Sequence, residues 1–387
     1  MTLTELDKTY VAGTYSRFPL EIVEGSGCLV RDSGGREYID MGSGIAVNTF
    51  GFADSRWAAA VTAQLSKLQH MSNLYYTEPC AVLAKMLCEK TGMKKVFFSN
   101  SGAEANECAI KTARKYSADK YGELRHTIIT LENSFHGRTI TTLAATGQAQ
   151  FHRDFKPLTP GFAHVKPGDI RAVEEIMGTC GVAAIMIELI QGEGGVVPLD
   201  SGFVNELAQI ARENDILLIC DEIQTGSGRT GKLLASMNYG ITPDIVTAAK
   251  GLAGGLPLGA TLFGEKTAGV LGPGDHGSTF GGNPVCCAGA VSILERIDDE
   301  LLREVRSKSD YIFGELSGAE GVSAVTGMGL MLGIETKKSA QDVLSACMER
   351  GVLVLTAKNR IRLLPPLNIP FDLLKKAVGV IKSACAE

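Results

Sequence analysis

A single lysine, Lys250, closes the apolar run "DIVTAAK" and opens a loop crowded with glycine, "GLAGGLPLGA". Removal from water disfavours the charged form of a lysine, and the neutral amine is the nucleophile that Schiff-base chemistry requires. The plainer reading is a snorkelling side chain, its stem on apolar surface and its amine in water. The acids Asp221 and Glu222 end another apolar run, "ILLIC". A carboxylate so placed must meet a cation or a donor, either in a structural network or at the ring nitrogen of a bound molecule. In "FFSNSGAEANE" a strand turns into a helix, with Ser101 as N-cap and small residues, Gly102 and Ala103, leaving backbone N–H groups free for an anion. A plain strand-to-helix turn would look the same. In "NSFHGRT" an aromatic ring, Phe135, stands beside a cation, Arg138. The ring could stack on a planar molecule and the guanidinium could take a carboxylate.

Taken together these segments supply a phosphate cradle, a stacking ring, an acid, a lysine and a carboxylate clamp. Pyridoxal phosphate chemistry needs that set: the lysine links to the cofactor's aldehyde, and the acid keeps the pyridine nitrogen protonated so that the ring can accept electrons.

The elements that must position these residues follow from a rhythm between about residues 93 and 265. The segments "KVFFSN", "HTIITLEN", "VAAIMIELI", "DILLICDE", "DIVTAAK" and "GATLFG" are short, apolar and continuous, the pattern of strands buried on both faces. Helical spacing lies between them; Ala105, Cys108, Ala109, Thr112 and Tyr116 form one stripe. Strand–helix alternation predicts an α/β fold with a mostly parallel sheet flanked by helices, whose ligands gather at the carboxyl ends of the strands. Residues 1–60 read as an N-terminal arm with a hairpin around Ser33-Gly34-Gly35, 61–275 as a large domain, and 276–387 as a smaller C-terminal α/β domain.

Charge excludes some partners. Lys plus Arg number 38 against 43 Asp plus Glu, a net −5 without a basic run, so nucleic acid is not expected. No stretch is long and apolar enough to span a bilayer, and the start has no signal-peptide pattern. The ten cysteines form no CxxC pair and the histidines no ligand spacing, so reduced thiols, no metal and a cytoplasmic location are expected.

The ordered motifs "SGIAVN", "SNSGAEA", "FHGRT", "QGEGG", "DEIQTG", "AAKGLAGGLPLGA", "GSTFGGNP" and "RLLPPL" resemble the class III, fold-type I aminotransferases along essentially the whole chain. The resemblance implies that Gly102 and Ala103 hold the cofactor phosphate, Phe135 stacks on the pyridine ring and Asp221 pairs with its nitrogen. Glu222, Ile223 and Gln224 would complete the cofactor site, with Gln224 on the ring hydroxyl and Lys250 on the aldehyde. Thr279 would reach the phosphate from a partner subunit of a homodimer, with Ser278 near the substrate. Arg138 would bind one substrate carboxylate and Arg362 a second, with Glu193 pairing with Arg362 or releasing it as the substrate requires. The implied reaction moves the terminal amine of acetylornithine to 2-oxoglutarate, giving glutamate, a step of arginine biosynthesis. Succinylornithine, ornithine and 4-aminobutyrate are the alternative donors. Ala103 stands where the family often has a hydroxyl, leaving the phosphate to backbone N–H groups.

Two rival readings exist. "GSGRTGKL", residues 226 to 233, nearly matches a nucleotide-binding P-loop, with Leu233 in place of the hydroxyl residue. A protein that binds the cofactor without turnover is the other.

Overall fold

The computed structural model describes residues 1–387. Its centre is a seven-stranded sheet ordered Lys95–Ser99, Gly259–Phe263, Ile245–Ala248, Leu217–Asp221, Gly181–Ile187, Arg125–Leu131 and Phe162–Val165. Six of these strands are the predicted apolar runs. The seventh, Phe162–Val165, is an edge strand, mostly half-exposed and too short to stand out by its hydrophobicity. The strand Gly259–Phe263 runs antiparallel to both of its neighbours, and the remaining pairings are parallel. Six strands therefore end on one edge, and five of them send their loops to one place: Lys95–Ser99, Arg125–Leu131, Gly181–Ile187, Leu217–Asp221 and Ile245–Ala248.

Burial on both faces explains the composition of the middle strands, where Ile129, Ile185 and Ile219 are wholly buried. The helix Gly102–Tyr121 crosses one face with Ala105, Cys108, Ala109 and Thr112 inward, as the spacing predicts; Tyr116, lower on the stripe, is half-exposed and donates to Asp215. On the other face, Val204, Leu207 and Ala211 of the helix Ser201–Glu213 pack under the sheet.

A second, antiparallel sheet is ordered Val322–Met328, Met331–Thr336, Arg360–Leu363 and Leu355–Ala357. The helices Asp299–Leu316, Ala340–Glu349 and Phe371–Ala386 accompany it. The N-terminal hairpin forms as predicted from strands Leu29–Asp32 and Glu37–Asp40, and Val352–Leu353 adds to it in parallel. No helix is long and apolar enough to cross a membrane. All ten cysteines are free; seven are buried, Cys80 and Cys88 are half-buried, and Cys180 is exposed.

The P-loop reading fails on this architecture. The strand Leu217–Asp221 ends well before Gly226, residues 226 to 233 form successive turns, and the four-residue helix that follows starts only at Ser236. Lys232 points to solvent, whereas Arg229 is buried and donates to the carbonyls of Leu330 and Pro365. The segment braces the second sheet instead of cradling phosphate.

Candidate active site

The loops leaving the five strand ends enclose a cavity of about 470 Å³, and each end contributes a wall. Asn100 to Ala103 follow the first strand, Phe135 to Arg138 the second and Glu188 the third; Asp221, Ile223 and Gln224 come from the fourth and Lys250 from the fifth.

Ser101 caps the helix Gly102–Tyr121, its hydroxyl accepting from the Glu104 N–H at 3.2 Å. The N–H groups of Gly102 and Ala103, in the first turn, have no intrahelical partner and face the cavity. A Cβ on Gly102 would stand 2.8 Å from two carbons of Ile223, so the glycine leaves a cradle that a side chain would fill. Gly259 is needed for a related reason. A Cβ there would lie 2.2 Å from the Ser101 carbonyl oxygen, so the strand can press against the capping turn only without one.

Asp221, 4% exposed, accepts three hydrogen bonds: from Asn106 Nδ2 and His136 Nδ1, both at 2.8 Å, and from the Ile223 N–H at 3.1 Å. These donors offset the desolvation of the carboxylate. Burial alone would lower the His136 pKa, but the hydrogen bond and charge of Asp221, with the charge of Glu188, outweigh it and raise the pKa above the ordinary value. Asn106 also donates to the His136 carbonyl at 2.8 Å, which ties helix and loop together behind the acid.

Lys250 opens a short 3-10 turn, Lys250–Ala253, with φ +46, a left-handed conformation uncommon outside glycine and frequent at functional sites. Thr49 Oγ1, donating to the Gly251 carbonyl at 2.7 Å, and Trp57 Nε1, donating to the Ala253 carbonyl at 2.9 Å, hold that turn in place. Burial pushes the amine's pKa below the ordinary lysine value; Asp221, Glu193 and Glu188 oppose the shift and Arg362 assists it. The snorkelling alternative does not hold, because the lysine forms part of the cavity wall.

Phe135 is half-buried on the wall and meets Phe151 in a T-shaped pair, ring centroids 6.0 Å apart. The exposed Arg138 guanidinium lies 4.5 Å from the centre of the Phe151 ring and 5.7 Å from that of Phe135. Arg362 is 3% exposed, with Nη1 2.5 Å from Glu193 Oε1 and 3.4 Å from Gln224 Oε1. Its Nε is buried without a partner. Arg362 and Glu193 do not line the cavity themselves; they adjoin it through Gln224.

Glu222 departs from the expected set. Its carboxylate accepts from the Thr225 hydroxyl at 2.6 Å and from the N–H groups of Ala235 and Ser236 at 2.8 and 2.7 Å, away from the cavity. Neighbouring residues at a strand end point to opposite faces, so Asp221 and Glu222 cannot both face the same ligand. Thr279 is exposed and lies outside the cavity of its own chain. Ser278 also lies outside it, but its Oγ accepts from Asn100 Nδ2 at 3.1 Å, and Asn100 is on the wall.

Three site residues were not singled out in the sequence. His136 and Asn106 stand behind Asp221, and Glu188 lines the cavity, its Oε2 accepting from the Phe135 N–H at 2.8 Å. Burial pushes the Glu188 carboxyl up to about 7, reinforced by Asp221 and opposed by His136, the Phe135 N–H and Lys250. An acid ending the apolar run "VAAIMIELI" is the same signal that marks Asp221.

The family model for aminotransferase class-III matches residues 10–385. The chain belongs to that family. Among its relatives, an acetylornithine aminotransferase of Haemophilus ducreyi is 50% identical over 387 residues, covering 100% of this chain and 98% of the relative. The structure of the ornithine aminotransferase from Toxoplasma gondii ME49 superposes with a TM-score of 0.93 at 33% identity, covering 99% of this chain and 94% of that one. An acetylornithine aminotransferase from Elizabethkingia anophelis gives 0.88 at 34% identity, covering 98% and 97%. Class-III aminotransferases depend on pyridoxal phosphate, and this chain is such a transaminase. Its residues fit that cofactor: a helix start with two free N–H groups, a glycine cradle under Ile223, a triply bonded carboxylate and a lysine with a lowered pKa all face one cavity.

Proposed function

We propose that this class-III aminotransferase moves the terminal amino group of N2-acetylornithine to 2-oxoglutarate, yielding N-acetylglutamate 5-semialdehyde and glutamate. The observation that carries the reading is the pair of Arg362 and Glu193. Arg362 is nearly sealed and retains an unpartnered Nε, while the side chain of its carboxylate partner is 31% exposed and has solvent on one side. Such a site accepts a dicarboxylate when Glu193 withdraws and a substrate without that second carboxylate when Glu193 stays. The acetylornithine assignment draws on identity: relatives bearing that name reach 50% and 45%, against 33% for the Toxoplasma ornithine enzyme despite its higher structural similarity.

Bound pyridoxal phosphate supplies an aldehyde that exchanges amines and a ring that takes up electron density from the substrate carbon. In this reading Gly102 and Ala103 bind the phosphate through their N–H groups and Phe135 stacks on the ring. Asp221, oriented by its three donors, pairs with the ring nitrogen, while Gln224 meets the ring hydroxyl. Lys250 binds the cofactor and then, as a free amine, carries the proton taken from the substrate carbon on Nζ. Arg138 and Arg362 orient substrate carboxylates.

The enzyme works in the cytoplasm as a homodimer, with Thr279 of the partner subunit completing the phosphate site. The free cysteines support the compartment. The exposed side chains of Leu74, Tyr76 and Phe280 near the Thr279 loop support the dimer. A donor panel decides the substrate: glutamate formed from 2-oxoglutarate is measured with acetylornithine, succinylornithine, ornithine and 4-aminobutyrate. Acetylornithine is expected to give the highest kcat/KM, and a clear preference for another donor overturns the assignment. Lys250→Ala is expected to abolish both turnover and the near-visible absorbance of the lysine-linked cofactor; retention of both would remove Lys250 from its role.

A further inference from the structure

Glu193 lies on a five-residue turn, 192 to 196, closing a short hairpin of Ile190–Gln191 and Val197–Pro198. The turn is strained at its far end. Val196 has φ +56, a conformation that a β-branched residue strongly resists, and the only bonds within the turn are long, from the Gly195 and Val196 N–H groups to the Gly192 carbonyl at 3.4 and 3.3 Å. Strain of this kind persists only where the surroundings over-determine it.

Here the second sheet does so. Thr326 Oγ1 donates to the Val196 carbonyl at 2.8 Å, and Arg360 Nη1 donates to the Gly195 carbonyl at 3.1 Å and to Thr326 Oγ1 at 3.1 Å. Glu335 fixes the other side of the Arg360 guanidinium at 2.8 Å. Val196, wholly buried, packs with Met331 and Leu364. Across the small sheet Thr326 is in register with Gly333, and Gly333 with Arg362. A Cβ on Gly333 would stand 2.9 Å from Val196 Cβ and 3.0 Å from the Gly195 carbonyl oxygen, so the sheet opens at one glycine to seat the turn. Glu193 leaves that seated turn to meet Arg362, in the same row of the sheet.

We infer that Thr326 and Arg360 are positioning residues that hold the 192–196 turn in its strained form, keep Glu193 on Arg362, and thereby set the enzyme's choice between dicarboxylates and amine donors lacking the second carboxylate. The inference rests on the proposed dual use of Arg362. Without the two bonds Val196 relaxes to negative φ, the turn shifts, and Arg362 stays open to a carboxylate. Dicarboxylates are then bound more readily, and the uncharged end of the donor faces an unpaired guanidinium.

The test uses the cofactor-loaded enzyme and four variants: Thr326→Val, Arg360→Met, Val196→Gly, and Thr326→Val combined with Val196→Gly. Two quantities are read: the ratio of kcat/KM for acetylornithine to that for glutamate, and the affinity for glutarate by calorimetry. Loss of one hydrogen bond in Thr326→Val is expected to lower the ratio roughly fivefold and to tighten glutarate binding by a similar factor. Arg360→Met moves both in the same direction. Val196→Gly alone stays close to the parent, because glycine takes φ +56 without strain. The double variant recovers the parent ratio for the same reason, a rescue that a general packing defect would not show. Equal loss in both half-reactions, unchanged glutarate affinity, or a double variant no better than Thr326→Val overturns the inference. If the parent enzyme ignores acetylornithine, the donor assignment fails by itself, while glutarate affinity in parent and variants still decides the role of the turn.

Discussion

Glu188 shows how an environment assigns work to one residue. Two acids face the cavity. Asp221 has three donors, whereas Glu188 has one, from the Phe135 N–H, and is 5% exposed. Burial, the leading cause, and the nearby charge of Asp221 raise its pKa from 4.5 to about 7 against the pull of His136 and Lys250. The folded protein therefore keeps the proton where the unfolded chain has released it. The resulting stabilisation is complete below about pH 4.5 and is lost as pH rises through about 7. Glu188→Gln, neutral and nearly isosteric, removes this dependence. Between about pH 5 and about pH 8 the parent is expected to lose roughly 2–3 kcal/mol more stability than the variant, read from urea unfolding of the two proteins. Parallel losses would show that the carboxyl does not titrate in this window. Lys250 and Asp221 were legible in the sequence because each is the one ionisable residue that an apolar strand delivers to its site. Glu222 was misassigned because adjacency in sequence hides the alternation of faces, and Glu188 was missed although its run carries the same mark.

At the scale of elements, the proposed phosphate site depends on one helix start and the strand beneath it. Ser101 and Gly259 support that start in different ways, and their replacements separate the two contributions. Ser101→Ala removes a side-chain acceptor and leaves the backbone in place; a cost of about 1 kcal/mol in stability is expected, with cofactor affinity little changed. Gly259→Ala forces a methyl against the Ser101 carbonyl, so the capping turn must move and take the Gly102 and Ala103 N–H groups with it. Stability should fall by about 1–3 kcal/mol, and cofactor affinity should fall as well. Thermal unfolding of the cofactor-free proteins and cofactor titration read the two effects; equal cofactor affinity in both variants would show that the phosphate does not sit at this helix start. The strands that build the site were legible because burial on both faces writes a continuous apolar run. Phe162–Val165 escaped because an edge strand needs no such run, and the antiparallel insertion of Gly259–Phe263 has no local mark, since strand direction is set by which neighbours pair.

For the whole molecule the telling residue is Thr279, which one chain leaves exposed and apart from its own cavity. No pattern in a single sequence reports on which copy a residue serves; here that placement came from family resemblance and not from the residues. Mixed dimers separate the alternatives. Lys250→Ala is expected to destroy the site of its own chain, and Thr279→Glu, setting a carboxylate beside the phosphate, the site of the partner. When the two inactive variants are mixed and allowed to exchange subunits, a hybrid dimer carries both lesions in one site and none in the other. Half of randomly re-formed dimers are hybrids with one intact site of two, so about a quarter of parental activity should return. If Thr279 served its own chain, every site in the hybrid would carry one lesion and no activity would return. Light scattering on the same mixtures confirms that dimers re-form, so silence in the assay would count against the shared site and not against assembly.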